Sequence, residues 1–180
     1  MSRIGNAPIV LPAGVEFNVS QDNLVTVKGP LGQLSQLVDK KIVIEKHDNV
    51  VHLKRTSEVK EIKSKHGLYR ALLMNMVVGV TKGYKKSLII NGVGYKAAVS
   101  GNKLTLNVGF SHSVEVVAVE GIKLEIPKLN QIDVSGISKE LVGQFASDIR
   151  QIKPVEPYHA YGIRYLDEVV IRKEGKTAKK

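Results

Sequence analysis

The chain repeats one order of secondary-structure signals, and this internal duplication constrains its fold more than any other feature. Residues 19–29 alternate apolar and polar side chains around a polar turn, and residues 99–109 do the same. A second pair of strand patterns follows in each half, over residues 42–53 and 122–134. Each half then changes from a period of two to about 3.6, which indicates an amphipathic helix. The sequence therefore predicts an α+β fold of two tandem duplicated domains, each a small, mostly antiparallel β-sheet with one main α-helix packed on it.

Both helices are predicted from apolar residues that recur every three or four positions. These are Leu68, Leu72, Leu73, Met76, Val77 and Val80 in the first half, and Leu141, Val142, Phe145, Ile149 and Ile152 in the second. Thr56, Ser57 and Ser64 are all possible N-caps of the first helix, whose start we place near Ser57. Ser138 is suited to cap the second helix, and Pro154 marks its end. The predicted domains are residues 1–82 and 83–180.

The composition predicts a basic, folded protein that meets polyanions. The chain has 180 residues, a net charge of +10 and no cysteine. This charge raises the local concentration of a polyanion around the protein, and the lack of cysteine fits a reducing cytoplasm. The amino terminus lacks the apolar core of a signal peptide. The longest apolar stretch, residues 71–80, is too short to cross a membrane, so we expect no membrane partner.

The carboxy-terminal quarter contains the clearest binding signal. Three tyrosines, His159 and Arg164 crowd a loop that begins with Lys153-Pro154. A strand is predicted over residues 166–171, and a lysine-rich tail follows over residues 173–180. A charge run alone is usually a solvated tail, but aromatic faces stack on unpaired bases while ammonium groups release counterions from phosphates. RNA is the ligand that this combination favours.

Enzymatic chemistry has little support in the sequence. The Gly92-Val93-Gly94-Tyr95-Lys96-Ala97 segment has the spacing of a dinucleotide-binding turn, but a strand pattern rather than a helix follows it. We interpret it as a tight bend between two strands. The five histidines show no metal-site spacing, and we interpret all but His159 as surface or partly packed residues. Asp167 and Glu168 are predicted to point to opposite faces of a strand. We expect no catalytic residue, no cofactor and no metal.

Several motifs along the chain resemble one known family. They lie at residues 1–5, 27–32, 67–77, 92–96 and 108–112, and in the final stretch from Pro157-Tyr158 through Gly162-Ile163-Arg164-Tyr165 to Lys176. Together they are similar to the sixth protein of the large ribosomal subunit in its bacterial form. One departure is His159-Ala160-Tyr161, where that family usually has Lys-Gly-Lys.

The resemblance implies a structural constituent of the large ribosomal subunit in the cytoplasm, not an enzyme. It implies binding to 23S rRNA near the translation-factor binding region and the stalk base. Neighbouring large-subunit ribosomal proteins and nearby translation factors would be its other partners, and DNA would not be one. The alternative is a general RNA-binding protein outside the ribosome.

The RNA contacts are predicted mainly in the carboxy-terminal half. The predicted RNA-binding residues are Lys85, Lys86, Tyr95, Lys96, Lys153, Tyr158, His159, Tyr161, Arg164, Arg172, Lys173, Lys176, Lys179 and Lys180. Phosphate contacts would fix the register on a shaped RNA, and rings would read loops rather than duplex base edges. Removing residues 173–180 is then expected to flatten the salt dependence of binding.

Overall fold

A computed structural model describes residues 3–176 and divides the chain into two compact units. The first unit extends to Tyr84 and includes Ile137–Lys139, and the second comprises Lys85–Gly136 and the chain from Glu140 onward. Both units combine antiparallel strands with one α-helix, which confirms the predicted α+β fold. The domain limits 1–82 and 83–180 stay a prediction.

The first unit contains two three-stranded sheets and one helix. Its strands are β1 (Ile9–Val10), β2 (Glu16–Val19), β3 (Leu24–Gly29), β4 (Gly32–Leu37), β5 (Ile42–His47) and β6 (Val50–Arg55), and its helix is α1 (Lys60–Thr81). The strand orders are β1-β6-β5 and β2-β3-β4. Alternate residues of β3, such as Val25 and Val27, are fully buried in a core that also contains Leu73 of α1. Burying a side chain of this size stabilises a fold by roughly 1.5–3 kcal/mol.

The start of α1 and part of its buried face differ from the prediction. The helix begins at Lys60 rather than near Ser57, because Thr56 donates its N–H and its hydroxyl to the carbonyl oxygen of Lys41 and so stays beside β5. Ser64 is not a cap, since it lies inside the helix. Leu68 is 53% exposed, and the prediction that it faces the core was wrong.

Buried His66 was also missed on α1. The ring is only 1% exposed, because its Nε2 lies 2.9 Å from the carbonyl oxygen of Leu53 and its Nδ1 lies 3.4 Å from the Arg55 guanidinium. The interpretation of His66 as a surface or partly packed residue was therefore wrong. A polar side chain can occupy a core position when its hydrogen bonds are satisfied.

The second unit contains a three-stranded and a four-stranded sheet. Its strands are β7 (Tyr84–Asn91), β8 (Lys96–Ser100), β9 (Lys103–Asn107), β10 (Val114–Val117), β11 (Ile122–Lys128), β12 (Gln131–Gly136) and β13 (Gly162–Tyr165), and its helix is α2 (Lys139–Ile152). The strand orders are β10-β9-β8 and β11-β12-β7-β13. The Gly92–Ala97 segment lies at the bend from β7 into β8, as predicted.

Helix α2 follows its predicted limits closely. It begins directly after Ser138 and ends at Ile152, before Lys153-Pro154. Val142, Phe145 and Ile149 are buried, as predicted, whereas Leu141 is 42% exposed, which contradicts its predicted place on the buried face.

The strand predicted over residues 166–171 is absent from the described part of the chain. The last strand, β13, instead ends at Tyr165 and pairs antiparallel with β7. Asp167 and Glu168 are therefore not strand neighbours. Within residues 3–176, no helix is long and apolar enough to span a bilayer.

Candidate nucleic-acid interface

Residues 153–161, here called the aromatic loop, leave the end of α2 and turn back into β13. The Glu156 carboxylate organises this loop, because it accepts backbone N–H bonds from Tyr158 (2.7 Å), His159 (2.6 Å) and Tyr161 (3.3 Å). The backbone of Glu156 also donates to the carbonyl oxygen of Tyr161 at 3.1 Å. One carboxylate thus accepts hydrogen bonds from the backbone amides of all three ring-bearing residues, and these bonds fix the shape of the loop.

These hydrogen bonds change the ionisation of Glu156. Desolvation raises the pKa of the carboxyl group, but the amides of Tyr158, His159 and Tyr161 together outweigh it and hold the pKa below its usual range. Glu156 therefore stays ionised at neutral pH while its charge is directed at internal donors.

The rings of the aromatic loop face solvent. His159 and Tyr161 are stacked, with ring centroids 5.4 Å apart and planes inclined by 18°. Tyr158 is 52% exposed. Ala160, which lies between His159 and Tyr161 in sequence, is buried and has φ at 62°. Its carbonyl oxygen accepts a 2.9 Å hydrogen bond from Asn91 Nδ2. The left-handed backbone at Ala160 is uncommon for a non-glycine residue, and its neighbours hold it in place.

Residues 166–176, here called the C-terminal segment, are fastened to the aromatic loop and to α2. The N–H of Lys173 donates to the carbonyl oxygen of Pro157 at 2.8 Å. Glu168 accepts two bonds from Arg150, at 3.0 Å from Nε and 2.5 Å from a terminal guanidinium nitrogen, and a third from the Tyr165 N–H at 3.1 Å. The Arg150 guanidinium holds the pKa of Glu168 below its usual range. The carbonyl oxygen of Glu168 in turn accepts a 2.8 Å bond from Arg164.

A shallow groove of about 330 Å³ forms beside these contacts. It is lined by Asn91, Ala160, Arg164, Glu168, Val169, Val170 and Arg172. Two predicted RNA-binding arginines therefore share one depression, although Arg164 is partly engaged by internal carbonyl oxygens.

The predicted residues outside the aromatic loop and C-terminal segment have different surroundings. Lys85 is not a free cation, because it forms a 2.6 Å ion pair with Asp133, whose side chain is 5% exposed. Lys86 lies 5.5 Å from the ring centroid of Tyr165. Tyr95 is half-buried against Gly109, where an added Cβ would lie 2.9 Å from the tyrosine oxygen. Lys96 is exposed at the start of β8.

The structure brings together most of the other predicted residues. Tyr158, His159, Tyr161, Arg164, Arg172 and Lys173 belong to the aromatic loop, β13 and the C-terminal segment, which are hydrogen-bonded to one another. Lys153 begins the same loop, and Lys176 is exposed at the end of the segment. Lys179 and Lys180 lie outside the described residues. All of these RNA contacts stay predictions.

Sequence reasoning missed the residues that shape this surface. Glu156, Glu168 and Arg150 form hydrogen bonds within the chain that fix where the rings and cations lie. A local signal for Glu156 exists, since a carboxylate before a Pro-containing turn can accept the amides that follow. The Arg150–Glu168 pair spans 18 positions and has no local signal. Within residues 3–176, no group of His, Asp and Glu side chains is arranged to hold a metal ion.

Comparison with known proteins identifies the family. A family model described as ribosomal protein L6 matches residues 11–83 and again residues 91–166, in agreement with the predicted duplication. Over all 180 residues the chain is 54% identical to the large ribosomal subunit protein uL6 of Clostridium kluyveri, covering 100% of both chains. It is 51% identical to the uL6 protein of Finegoldia magna and 52% identical to that of Alkaliphilus metalliredigens, each over 179 residues, 99% of this chain and 100% of the relative. The chain therefore belongs to the ribosomal protein L6 family.

Proposed function

We propose that this protein binds 23S rRNA through its second unit, near the translation-factor binding region and the stalk base of the large subunit. As a member of the ribosomal protein L6 family, the chain is a structural component of the large ribosomal subunit in the cytoplasm and not an enzyme. Neighbouring large-subunit proteins and nearby translation factors are its proposed further partners.

The observation that carries this proposal is the ordered surface of rings and cations on the second unit. Its stacked rings, His159 and Tyr161, are exposed on a loop whose backbone is tied to Glu156. Aromatic faces stack on unpaired bases, and nearby lysine and arginine groups bind phosphates. Because Lys173 is hydrogen-bonded through its backbone to Pro157, rings and cations meet an RNA at one place.

The first test compares the tail lysines with lysines of the first unit. One variant changes Lys173, Lys176, Lys179 and Lys180 to glutamine. The matched control changes four exposed lysines, Lys28, Lys40, Lys60 and Lys82, to glutamine. Binding of the full chain to large-subunit rRNA fragments is measured across a salt series. The slope of log K against log[salt] is negative, and each lost phosphate contact makes it less steep by about 0.7–0.9. The slope of the tail variant should therefore be less steep by up to about three units.

An unchanged slope in the tail variant contradicts the assignment of the tail lysines to phosphate contacts. An equal change of slope in the control variant contradicts it as well. Unrelated RNA of the same length tests the rival function, that of a general RNA-binding protein. Equal affinity for both RNAs would favour that rival. Cosedimentation of the wild-type chain with large subunits through a high-salt wash would support the ribosomal function.

A further inference from the structure

A second aromatic pair lies on the second unit, outside the aromatic loop and the C-terminal segment. The loop between β9 and β10 carries Phe110 and His112, whose rings are stacked with centroids 6.4 Å apart and planes inclined by 23°. Phe110 is 44% exposed, and His112 is also exposed. Two exposed rings held in a stacked arrangement have no packing role in the core of the unit.

The base of this loop is fixed in a way that turns the rings outward. Val108 is fully buried, and Gly109 adopts φ at 77° with Tyr95 packed against it. A Cβ at Gly109 would lie 2.9 Å from the tyrosine oxygen, so only glycine fits between the buried valine and the exposed phenylalanine. The buried valine and the glycine turn therefore determine where the chain places Phe110.

A cation accompanies the rings. Lys153, the first residue of the aromatic loop, places its Nζ 4.9 Å from the Phe110 ring centroid. Within the described residues, no carboxylate lies within 4.0 Å of this Nζ, whereas Lys85 and Lys103 of the same unit each have one. Lys153 therefore keeps its charge available to an anion beside an exposed ring.

We propose that Phe110, His112 and Lys153 form a second stacking site that takes one unpaired RNA base together with its phosphate. This inference rests on the proposed function, which it extends from the aromatic loop to the β9–β10 loop. A base stacks on the exposed ring surface, and the Lys153 ammonium binds the adjoining phosphate. A peptide partner is disfavoured. The exposed rings and the Lys153 ammonium together suit a ligand that has a planar ring and an anionic group, and an apolar peptide side chain has neither.

The test separates ring contacts from charge contacts in the full chain. Phe110→Leu keeps an apolar side chain but removes the ring, and His112→Ala removes the second ring at an exposed position. Leu129→Ala, at a residue that is 89% exposed in the turn between β11 and β12, is the matched control. The probe is a large-subunit rRNA fragment that the wild-type chain binds, and thermal unfolding checks that every variant is folded.

The double variant Phe110→Leu/His112→Ala should bind about tenfold more weakly with an unchanged salt slope. Lys153→Gln should instead lower the slope by about 0.7–0.9, and Leu129→Ala should change neither quantity. Ultraviolet crosslinking of the wild-type complex, followed by mass spectrometry, should find a nucleotide attached to Phe110 or His112. If Phe110→Leu proves unfolded, His112→Ala and the crosslinks decide the question.

Full affinity in the folded ring variants, together with no crosslink on this loop, overturns the inference while the proposed function stands. Variants that keep RNA affinity but fail to enter reconstituted large subunits would indicate a protein partner and also overturn it. Failure of the wild-type chain to bind any large-subunit rRNA fragment overturns both the inference and the proposed function.

Discussion

Replacing Glu168 by glutamine tests whether the C-terminal segment is held by an anchor or only attracted to RNA by its charge. Glu168 is the acceptor of two bonds from Arg150 and one from the Tyr165 N–H. Glutamine has nearly the same shape, but it offers one acceptor oxygen, and its amide group would face a donor. The variant also raises the net charge by one from +10. Anchoring and simple charge attraction therefore predict opposite effects.

The magnitude follows from the geometry of the pair. Hydrogen bonds to charged groups contribute about 1.5–3 kcal/mol each when they are well shielded. The side chains of Arg150 and Glu168 are 35% and 26% exposed, so water replaces part of what is lost. We expect the variant to lose about 2 kcal/mol, from one missing acceptor and the weakened remaining bonds. Local opening of residues 164–170 should then become about 30-fold more frequent.

Hydrogen exchange measured by mass spectrometry gives the local readout. Peptides that cover residues 164–170 should exchange about 30-fold faster, while peptides from β9 should not change. Glu120→Gln is the matched control, because Glu120 is an exposed acid of the same unit without a hydrogen bond or ion pair among the described residues. The double variant Arg150→Gln/Glu168→Gln should be less impaired than the sum of the single variants.

RNA affinity gives the second readout. In the proposed complex Arg172 and Lys173 are ordered against the RNA, and a loosened segment adds that ordering cost to binding. Glu168→Gln should therefore bind rRNA no more tightly than Glu120→Gln, despite their equal charge. Exchange at the control rate, or clearly tighter binding by Glu168→Gln, would refute the anchor.

Three further predictions concern other contacts of the second unit. The pKa values of Glu156 and Glu168 are lowered in the folded protein. The hydrogen bonds of the two carboxylates are therefore fully stabilising above the ordinary glutamate pKa of about 4.3, and this stabilisation is lost as the pH falls through the folded-state pKa values. Loop exchange corrected for intrinsic rates should accelerate below that pH, and a pH-independent rate would contradict this. Glu156→Gln should accelerate exchange at Tyr158 and His159 already at pH 7; a rate equal to wild type would mean that the carboxylate does not order the loop. Lys85→Gln should lower the urea midpoint of unfolding, because it leaves buried Asp133 without its cation. Adding Asp133→Asn to this variant should restore the midpoint. No change in the midpoint of Lys85→Gln would show that the pair is not stabilising.

The hairpins and the second helix could be predicted because their signals are local. Alternating residues such as Leu104 and Leu106 of β9 are both fully buried, as period-two patterning requires. The limits of α2 could be predicted from Ser138 and Pro154, because serine before a helix and proline after it are residue types whose effect is on the adjoining backbone. A local signal suffices when neighbouring residues determine the outcome.

The failures share a physical cause, which is a partner distant in sequence. Residues 166–171 have a strand-like composition, yet Glu168 is drawn to Arg150 on α2, and the backbone leaves the sheet after Tyr165. On α1, His66 occupies a core position because the Leu53 carbonyl oxygen satisfies its ring. Neither partner can be identified from periodicity, so the strand predicted over residues 166–171 and the interpretation of His66 as a surface or partly packed residue were wrong.

The acidic residues of the second unit explain why total charge is a poor guide to its proposed RNA-binding surface. Glu156 directs its charge at three amides, and Glu168 directs its charge at Arg150. Those carboxylates lie among the candidate RNA-binding residues, yet internal donors occupy them, so they repel phosphates less than free acids would. The same pairing removes Arg150 from the cations available to RNA. We therefore expect exposed lysines that lack such partners, rather than the net charge of the chain, to determine the salt dependence of the proposed RNA binding.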